Sequence, residues 1–376
     1  MMRWWLAGAG DQGRQRWVRR FDPRCWLVDF PRPMMASVTT QGDETVVVDV
    51  EFQRRADLAG LIWESADRWS HPLCALATRR DYRGLVWRFR WQSSGAILPL
   101  DAVNGPVLTI EGRDAAGAAR SWLVRLWNYA SGSPTDAEIA LDFDALAGGF
   151  LLPGEADAVW AGDIDRLFIS LVPPGHDGAD APLPAVASGQ ARLTSLLVDG
   201  DGAVLPAGQP GLPPHDWRLC TAYDDLYNQT PERILDQALL LGWRGAITHY
   251  LGMSHFMALL PDGAGGYRVD PARPLCGPAQ AWHADFLARA HALGFAPILS
   301  LSMELIAAHC PPDWAQRDAE GAIGLTGWVP PSALLSPCHA QAQAWLQAVV
   351  AAVMPLALAA GCLPAFQVGE PWWWVG

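Results

Sequence analysis

The sequence predicts a multidomain β plus α/β chain: a jelly-roll-like β-sandwich followed by the first half, four β/α units, of a TIM barrel. Three observations carry this reading. Up to about residue 200, short apolar stretches recur between Gly/Pro turns with no convincing long helix among them. Residues 201–214 are rich in Gly and Pro and read as a linker. Over residues 215–376, strand-like runs alternate with helical ones.

Within residues 1–200 the strands follow from period-2 alternation. Thr45 to Phe52 alternates, and Leu85, Trp87, Phe89 and Trp91 share one face against Val86, Arg88 and Arg90. Val107 to Glu111, Ser121 to Trp127, Glu138 to Phe143, Arg166 to Val172 and Ala191 to Val198 continue the series. Turn signals such as Asn104-Gly105-Pro106 and Pro173-Pro174-Gly175 separate them. About eight such strands suit a jelly roll.

Beyond the linker, Trp217 to Tyr223 is strand-like. Thr230-Pro231-Glu232 opens a helix with a capping hydroxyl, proline at N1 and an acid in the first turn, running to about Leu241 before Gly242. Ala246 to Tyr250 is the second strand, Pro278 to Leu293 a helix closed by Gly294, and Ala296 to Ser302 the third strand. Ser336-Pro337 starts a helix to Ala360 with Pro355 inside it, and Leu363 to Val368 is the fourth strand. This order demands parallel strands with helical crossovers. A doubly wound sheet shares the rhythm, but no Gly-rich phosphate loop follows any strand, which favours the barrel. The long loops Gly252 to Gly277 and Ile306 to Leu335 fall where a barrel's functional face lies. Four units of eight leave strand edges and apolar helix faces open, so self-association or dependence on further chain is expected.

Hydrophobic residues form 51% of the chain and charged residues 18%, which suits a large core and excludes a disordered polymer. The alanine-rich stretch 342–360 is interrupted by Gln343, Gln347 and Pro355, so it reads as a buried helix, and no membrane partner is expected. A net charge of −12 argues against nucleic acid as a partner. All 27 basic residues are arginine, which excludes Schiff-base aldolase chemistry, lysine-anchored pyridoxal phosphate and a P-loop. Seven scattered cysteines without a C-x-x-C pair read as reduced thiols, and neither a metal nor a cofactor is expected. The apolar stretch before Asp11 is too short for a signal peptide, so cytoplasmic synthesis is expected.

The richest chemistry lies in the last ten residues, where Gly369-Glu370-Pro371 precedes Trp372, Trp373 and Trp374. Other strand ends supply Asp224 with Asp225, His249 with His255, and Glu304, while loops supply Trp314 and Trp328. Strand-end residues of a barrel point to one mouth. Carboxylates among aromatic walls are what glycoside hydrolysis requires, one as acid to the leaving oxygen and one as nucleophile or base. Glu370 is the candidate acid/base. His249, His255, Glu304, Asp224, Trp314, Trp328, Trp372 and Trp373 are candidate substrate contacts. Each also has a plainer reading: Asp224 as a cap, Glu304 as a loop anchor, the histidines as hydrogen-bonded structure, and the tryptophans as packing.

Gln367-Val368-Gly369-Glu370-Pro371 resembles the strand-four Asn-Glu-Pro motif of a large clan of retaining glycosidases, which implies an acid/base role for Glu370. Pro311-Pro312-Asp313-Trp314, Gly321 and Trp328-Val329-Pro330-Pro331-Ser332 are similar to sugar-binding loops of that clan. Gly369 stands where the clan has asparagine, and the strand-seven nucleophile has no counterpart in this sequence. A broader resemblance rests on Phe21-Asp22-Pro23-Arg24, Phe30 to Met35, Leu61 to Ser65, Asp81-Tyr82-Arg83-Gly84 and Trp160 to Arg166. These strings resemble alphaproteobacterial phage or prophage proteins of the non-contractile tail sheath family. That resemblance implies a virion tail component assembled in the host cytoplasm. It also implies self-association or contact with tail-tube proteins, and a degenerate glycosidase-like barrel touching glycans. The alternative expectation is a retaining glycoside hydrolase with an N-terminal carbohydrate-binding sandwich.

Overall fold

The structure, a computed structural model, describes residues 17–149, 157–206, 212–363 and 365–369. By its internal contacts the chain divides into two compact units, residues 1–215 with 228–242, and residues 216–227 with 243–376. Its helices are α1 (Tyr223–Leu226), α2 (Pro231–Leu240), α3 (Gly277–Ala292) and α4 (Ala340–Ala359).

The first unit runs through β1 (Trp17–Arg19), β2 (Leu27–Asp29), β3 (Met35–Thr40), β4 (Val46–Arg54), β5 (Ala59–Glu64), β6 (Val86–Gly95), β7 (Val107–Arg113) and β8 (Ala119–Arg125). It continues with β9 (Ala130–Ser133), β10 (Asp136–Asp142), β11 (Ala147–Gly148), β12 (Asp157–Ala158), β13 (Ile164–Leu171), β14 (Pro182–Asp199) and β15 (Val204–Pro206). Two antiparallel sheets dominate, in the orders β3-β4-β14-β6-β10-β9 and β2-β5-β13-β7-β8. The alternation read in β6 is realised, since Trp87, Phe89 and Trp91 are buried while Arg88 and Arg90 are exposed. Register places Trp87 opposite Leu141 and Val198, and Trp91 opposite Ala137 and Leu193, so the indoles meet smaller side chains.

The two sheets meet through an aromatic cluster. Phe21 stacks on Trp87 of one sheet at 4.2 Å between ring centroids and lies 5.1 Å from Trp63 of the other. Trp26, Tyr82 and Phe143 complete the group, and the Arg20 guanidinium sits 3.9 Å over the Tyr82 ring. Tyr82 is itself fixed, accepting from the Trp63 indole at 3.0 Å and contacting the Ser65 hydroxyl at 2.7 Å. Phe21 reaches this position from φ 57°, a left-handed conformation that costs a non-glycine residue about 1–2 kcal/mol. Burying a side chain of this size offsets that by about 1.5–3 kcal/mol.

The helix expected as the barrel's first crossover packs within this first unit. Thr230 caps α2, accepting from the Arg233 N–H at 3.2 Å and donating to the Arg24 carbonyl at 2.8 Å. Arg24 is buried between Asp22 at 2.7 Å and Asp236 of α2 at 3.3 Å. Burial works against ionisation of Asp22, yet the Arg24 charge and its hydrogen bonds prevail and hold the carboxyl below its ordinary range. A second buried pair, Arg233 with Asp67 at 2.7 Å, ties the same helix to the segment after β5.

In the second unit β16 (Leu219–Ala222), β17 (Ala246–Met253), β20 (Ala296–Ile306) and β22 (Phe366–Val368) pair in parallel, in sequence order. Between them come the two-stranded β18 (Leu259–Pro261) and β19 (Tyr267–Val269), and β21 (Ser332–Leu334), which pairs antiparallel to the far end of β20. A doubly wound sheet reverses its strand order at a switch point, whereas these four strands do not. Trp282 and Phe286 of α3 are buried, and α4 buries Trp345, Leu346, Val349 and Val353. The expectation of a buried α4 needs correction. Only 33% of its most apolar stretch is buried, although the helix is long and apolar enough to cross a membrane.

Other boundaries shift for local reasons. Residues 204–206, expected in the linker, form β15 against β1. Tyr223 leaves the first parallel strand to begin α1, and α4 is capped by His339 rather than Ser336, its Nδ1 accepting from the Ala342 N–H at 3.3 Å.

The Arg24 cluster generates a stability prediction. Arg24→Met strands Asp22 and Asp236 in the core and should destabilise the first unit by roughly 3–5 kcal/mol in urea unfolding. Adding Asp22→Asn and Asp236→Leu to the same protein should recover most of that loss. A triple variant as unstable as the single one would show that packing, not the stranded charge, sets the cost.

Candidate functional site

Parallel register sorts the strand-end residues onto two faces. His249 is aligned with Thr221, Leu299 and Phe366, and Tyr250 with Ala222, Ser300 and Gln367. His249 belongs to the helix-facing set. Its ring stacks on Phe286 of α3 at 4.5 Å, and its Nδ1 lies 2.8 Å from the Thr221 hydroxyl. The expectation that it points into the strand mouth is therefore corrected, because it sits between sheet and helix with no exposed surface. Tyr250 and Ser300 occupy the opposite face, and the pairing of β17 with β20 becomes irregular beyond Leu251 and Leu301, before Glu304.

Gly369 has no room for a side chain. A Cβ there would lie 2.9 Å from both the Ser300 hydroxyl and the Leu301 carbonyl, and 3.2 Å from the Tyr250 ring. An asparagine does not fit without displacing backbone. Glu304 is buried on β20, its N–H donating to the Ser302 hydroxyl at 3.2 Å. Glu370, Trp372 and Trp373 lie outside the described residues.

Asp224 and His255 do come together. The Asp224 carboxylate accepts from the Ser254 N–H at 3.1 Å and from its hydroxyl at 3.0 Å, and lies 3.3 Å from His255 Nδ1. The Ser254 hydroxyl is 2.7 Å from the same Nδ1, and the His255 ring stacks on Tyr227 at 3.8 Å. The residue types are those of a nucleophilic triad, but the geometry is not. A relay needs serine and carboxylate on opposite imidazole nitrogens, and here both address Nδ1. The cluster instead fixes a tight turn in which Met253 and His255 adopt φ 58° and 65°.

The two loop tryptophans separate. Trp328 is 50% exposed beside exposed Val329, whereas Trp314 is 4% exposed and its indole N–H donates to Gln341 Oε1 at 3.4 Å. Trp314 lines a cleft of about 470 Å³ with Trp345, Arg268, Asp313 and Gln341. Sequence reading missed Tyr250 and Ser300, although strand parity opposite His249 was the available signal. It also missed Arg268 and Gln341, which carry no motif. Among the described residues no three His, Cys, Asp or Glu side chains form a metal-ligating set.

Two histidines give this unit an acid sensitivity. Burial pushes the His283 imidazole down to about 4, only partly opposed by its Nδ1–H bond to the Ala279 carbonyl, and burial beside His283 pushes His249 well below its ordinary value. Both folded values lie below the unfolded value near 6.5, so the unfolded chain binds protons first as pH falls. Their contribution is complete above about pH 6.5 and erodes as pH drops towards 4, by about 3 kcal/mol for His283 alone. His283→Gln should flatten the pH dependence of urea-unfolding free energy between pH 7 and pH 4.5. An unchanged slope would place the sensitivity elsewhere.

Comparison with known proteins adds identity to this geometry. Among solved structures, the chain is similar to the enzymatically active domain of tailspike protein 4 from bacteriophage CBA120 at 8% identity and TM-score 0.25. That match covers 48% of this chain and 20% of the tailspike chain, so it spans only one fifth of that protein's length. Protein YXIM_BACsu from Bacillus subtilis matches at 9% identity and TM-score 0.17, covering 94% of this chain and 86% of that one. Likeness this low carries no structural inference. The families are decisive: residues 18–208 match the non-contractile tail sheath N-terminal domain, and residues 213–376 match the non-contractile tail sheath protein TIM barrel. The chain therefore belongs to the non-contractile tail sheath protein family, which gives it a structural role in a phage tail.

Proposed function

We propose that this protein is a tail subunit that self-associates or packs on tail-tube proteins. In this reading a jelly-roll-like sandwich precedes the first half of a glycosidase-like barrel, kept as a scaffold that contacts glycans without cleaving them. The observation that carries the reading is the state of the strand mouth. Tyr250 and Ser300 crowd the position of Gly369, Asp224 is engaged by Ser254 and His255, and His249 is turned to α3. Glycoside hydrolysis needs two carboxyl groups about 5 to 9.5 Å apart across open space.

Self-association draws support from β22. It pairs with β20 along one side, and among the described residues no strand pairs with the other. Phe366 and Val368 on this strand are 40% and 61% exposed. Unpaired edges with apolar side chains recruit further strands.

Two measurements on the full chain test the proposal. Val368→Arg should shift the protein towards smaller species in sedimentation velocity, and an unchanged distribution would remove the β22 edge from the interface. Glu370→Gln should leave assembly unchanged, with no aryl-glycoside hydrolysis by either protein. Turnover by the parent chain that disappears in Glu370→Gln would replace this reading with the retaining glycoside hydrolase, Glu370 acting as acid/base.

A further inference from the structure

We propose that the cleft formed by β19, the loop at 311–314 and the first turns of α4 is a saccharide-binding subsite, separate from the strand mouth. The inference rests on the glycan-contact reading above and gives that contact a place. At about 470 Å³ the cleft falls in the size range of small-molecule sites.

Its walls divide by chemistry. Val269, Trp314 and Trp345 form an apolar floor, and all three are buried. Arg268, Asp313 and Gln341 stand at the exposed rim. Gln341 accepts the Trp314 indole N–H through Oε1, which leaves its amide N–H groups for another acceptor. Asp313 supplies an acceptor, with His339 Nε2 3.6 Å away, and Arg268 supplies a fork of donors.

This combination selects among ligand classes. An anion would meet the Asp313 carboxylate. A wholly apolar ligand would desolvate Arg268 and Asp313 and return nothing to them. A sugar ring has an apolar C–H face for the floor and hydroxyls that both donate and accept for the rim. The cleft is also preformed: His309 Nδ1 donates to the Tyr267 carbonyl at 2.8 Å, and the Ser336 N–H donates to the Trp314 carbonyl at 2.7 Å. These bonds tie β19 and the loop before any ligand arrives, which lowers the ordering cost of binding.

The test uses the full chain and a panel of defined oligosaccharides containing glucose, galactose, rhamnose or N-acetylhexosamine. Saturation-transfer NMR detects binding and titration calorimetry measures it. Arg268→Ala and Gln341→Ala alter exposed side chains, and each should weaken binding by about tenfold, the equivalent of one charge-assisted or well-placed hydrogen bond. Binding that survives both cleft variants overturns this inference while the glycan reading stands. Absence of binding to every oligosaccharide in the panel overturns both.

Discussion

The first unit depends on Arg24, a guanidinium buried between Asp22 and Asp236. A buried charge is tolerable only when its partners are in place, so the cluster sets three positions at once. Asp22 is held where it accepts from the Arg24 N–H at 3.1 Å, and Asp236 brings α2. Thr230 and Arg233 add further bonds from the same helix. The chain consequently leaves the second unit after Tyr227, spends residues 228–242 in the first, and returns. A helix that by sequence position belongs between two parallel strands is claimed by charge pairing elsewhere.

Beside that cluster lie the strings that carried the family resemblance, and their physical meaning is packing. Phe21, Trp63 and Tyr82 come from three of them and meet in one aromatic group, with Trp87 beneath. From the string Trp160 to Arg166, Asp163 and Asp165 pair with both Arg80 and Arg113. None of these residues forms a chemical motif. They are recognisable because a stacked group of this kind admits few substitutions of equal shape.

What could be read from sequence was whatever a single element decides for itself. The alternation of β6, the Thr230-Pro231 helix start and the glycine stop of α3 all survive into the structure. β3 stayed hidden because all six of its residues are buried, which erases the period-2 signal. The unit that α2 joins was illegible, since its partners Arg24 and Asp67 lie far away in sequence. At the site, residue types gave the right cluster for Asp224 and His255 but not its geometry. That geometry turns on which imidazole nitrogen faces which neighbour, and sequence has no term for it.

The parallel strands show how far a scaffold is set by its backbone. Strand order and register are backbone properties, maintained by hydrogen bonds and by apolar contact with α3. A catalytic mouth needs the opposite of good packing: open space, and charged groups held apart from neighbours that would neutralise them. Around Gly369 the space is taken by Tyr250, Ser300 and the Leu301 carbonyl, and the nearest acid of the first strand is spent on a turn. Each of these contacts adds rigidity and subtracts reactivity. Fold alone does not decide between an assembly subunit and an enzyme.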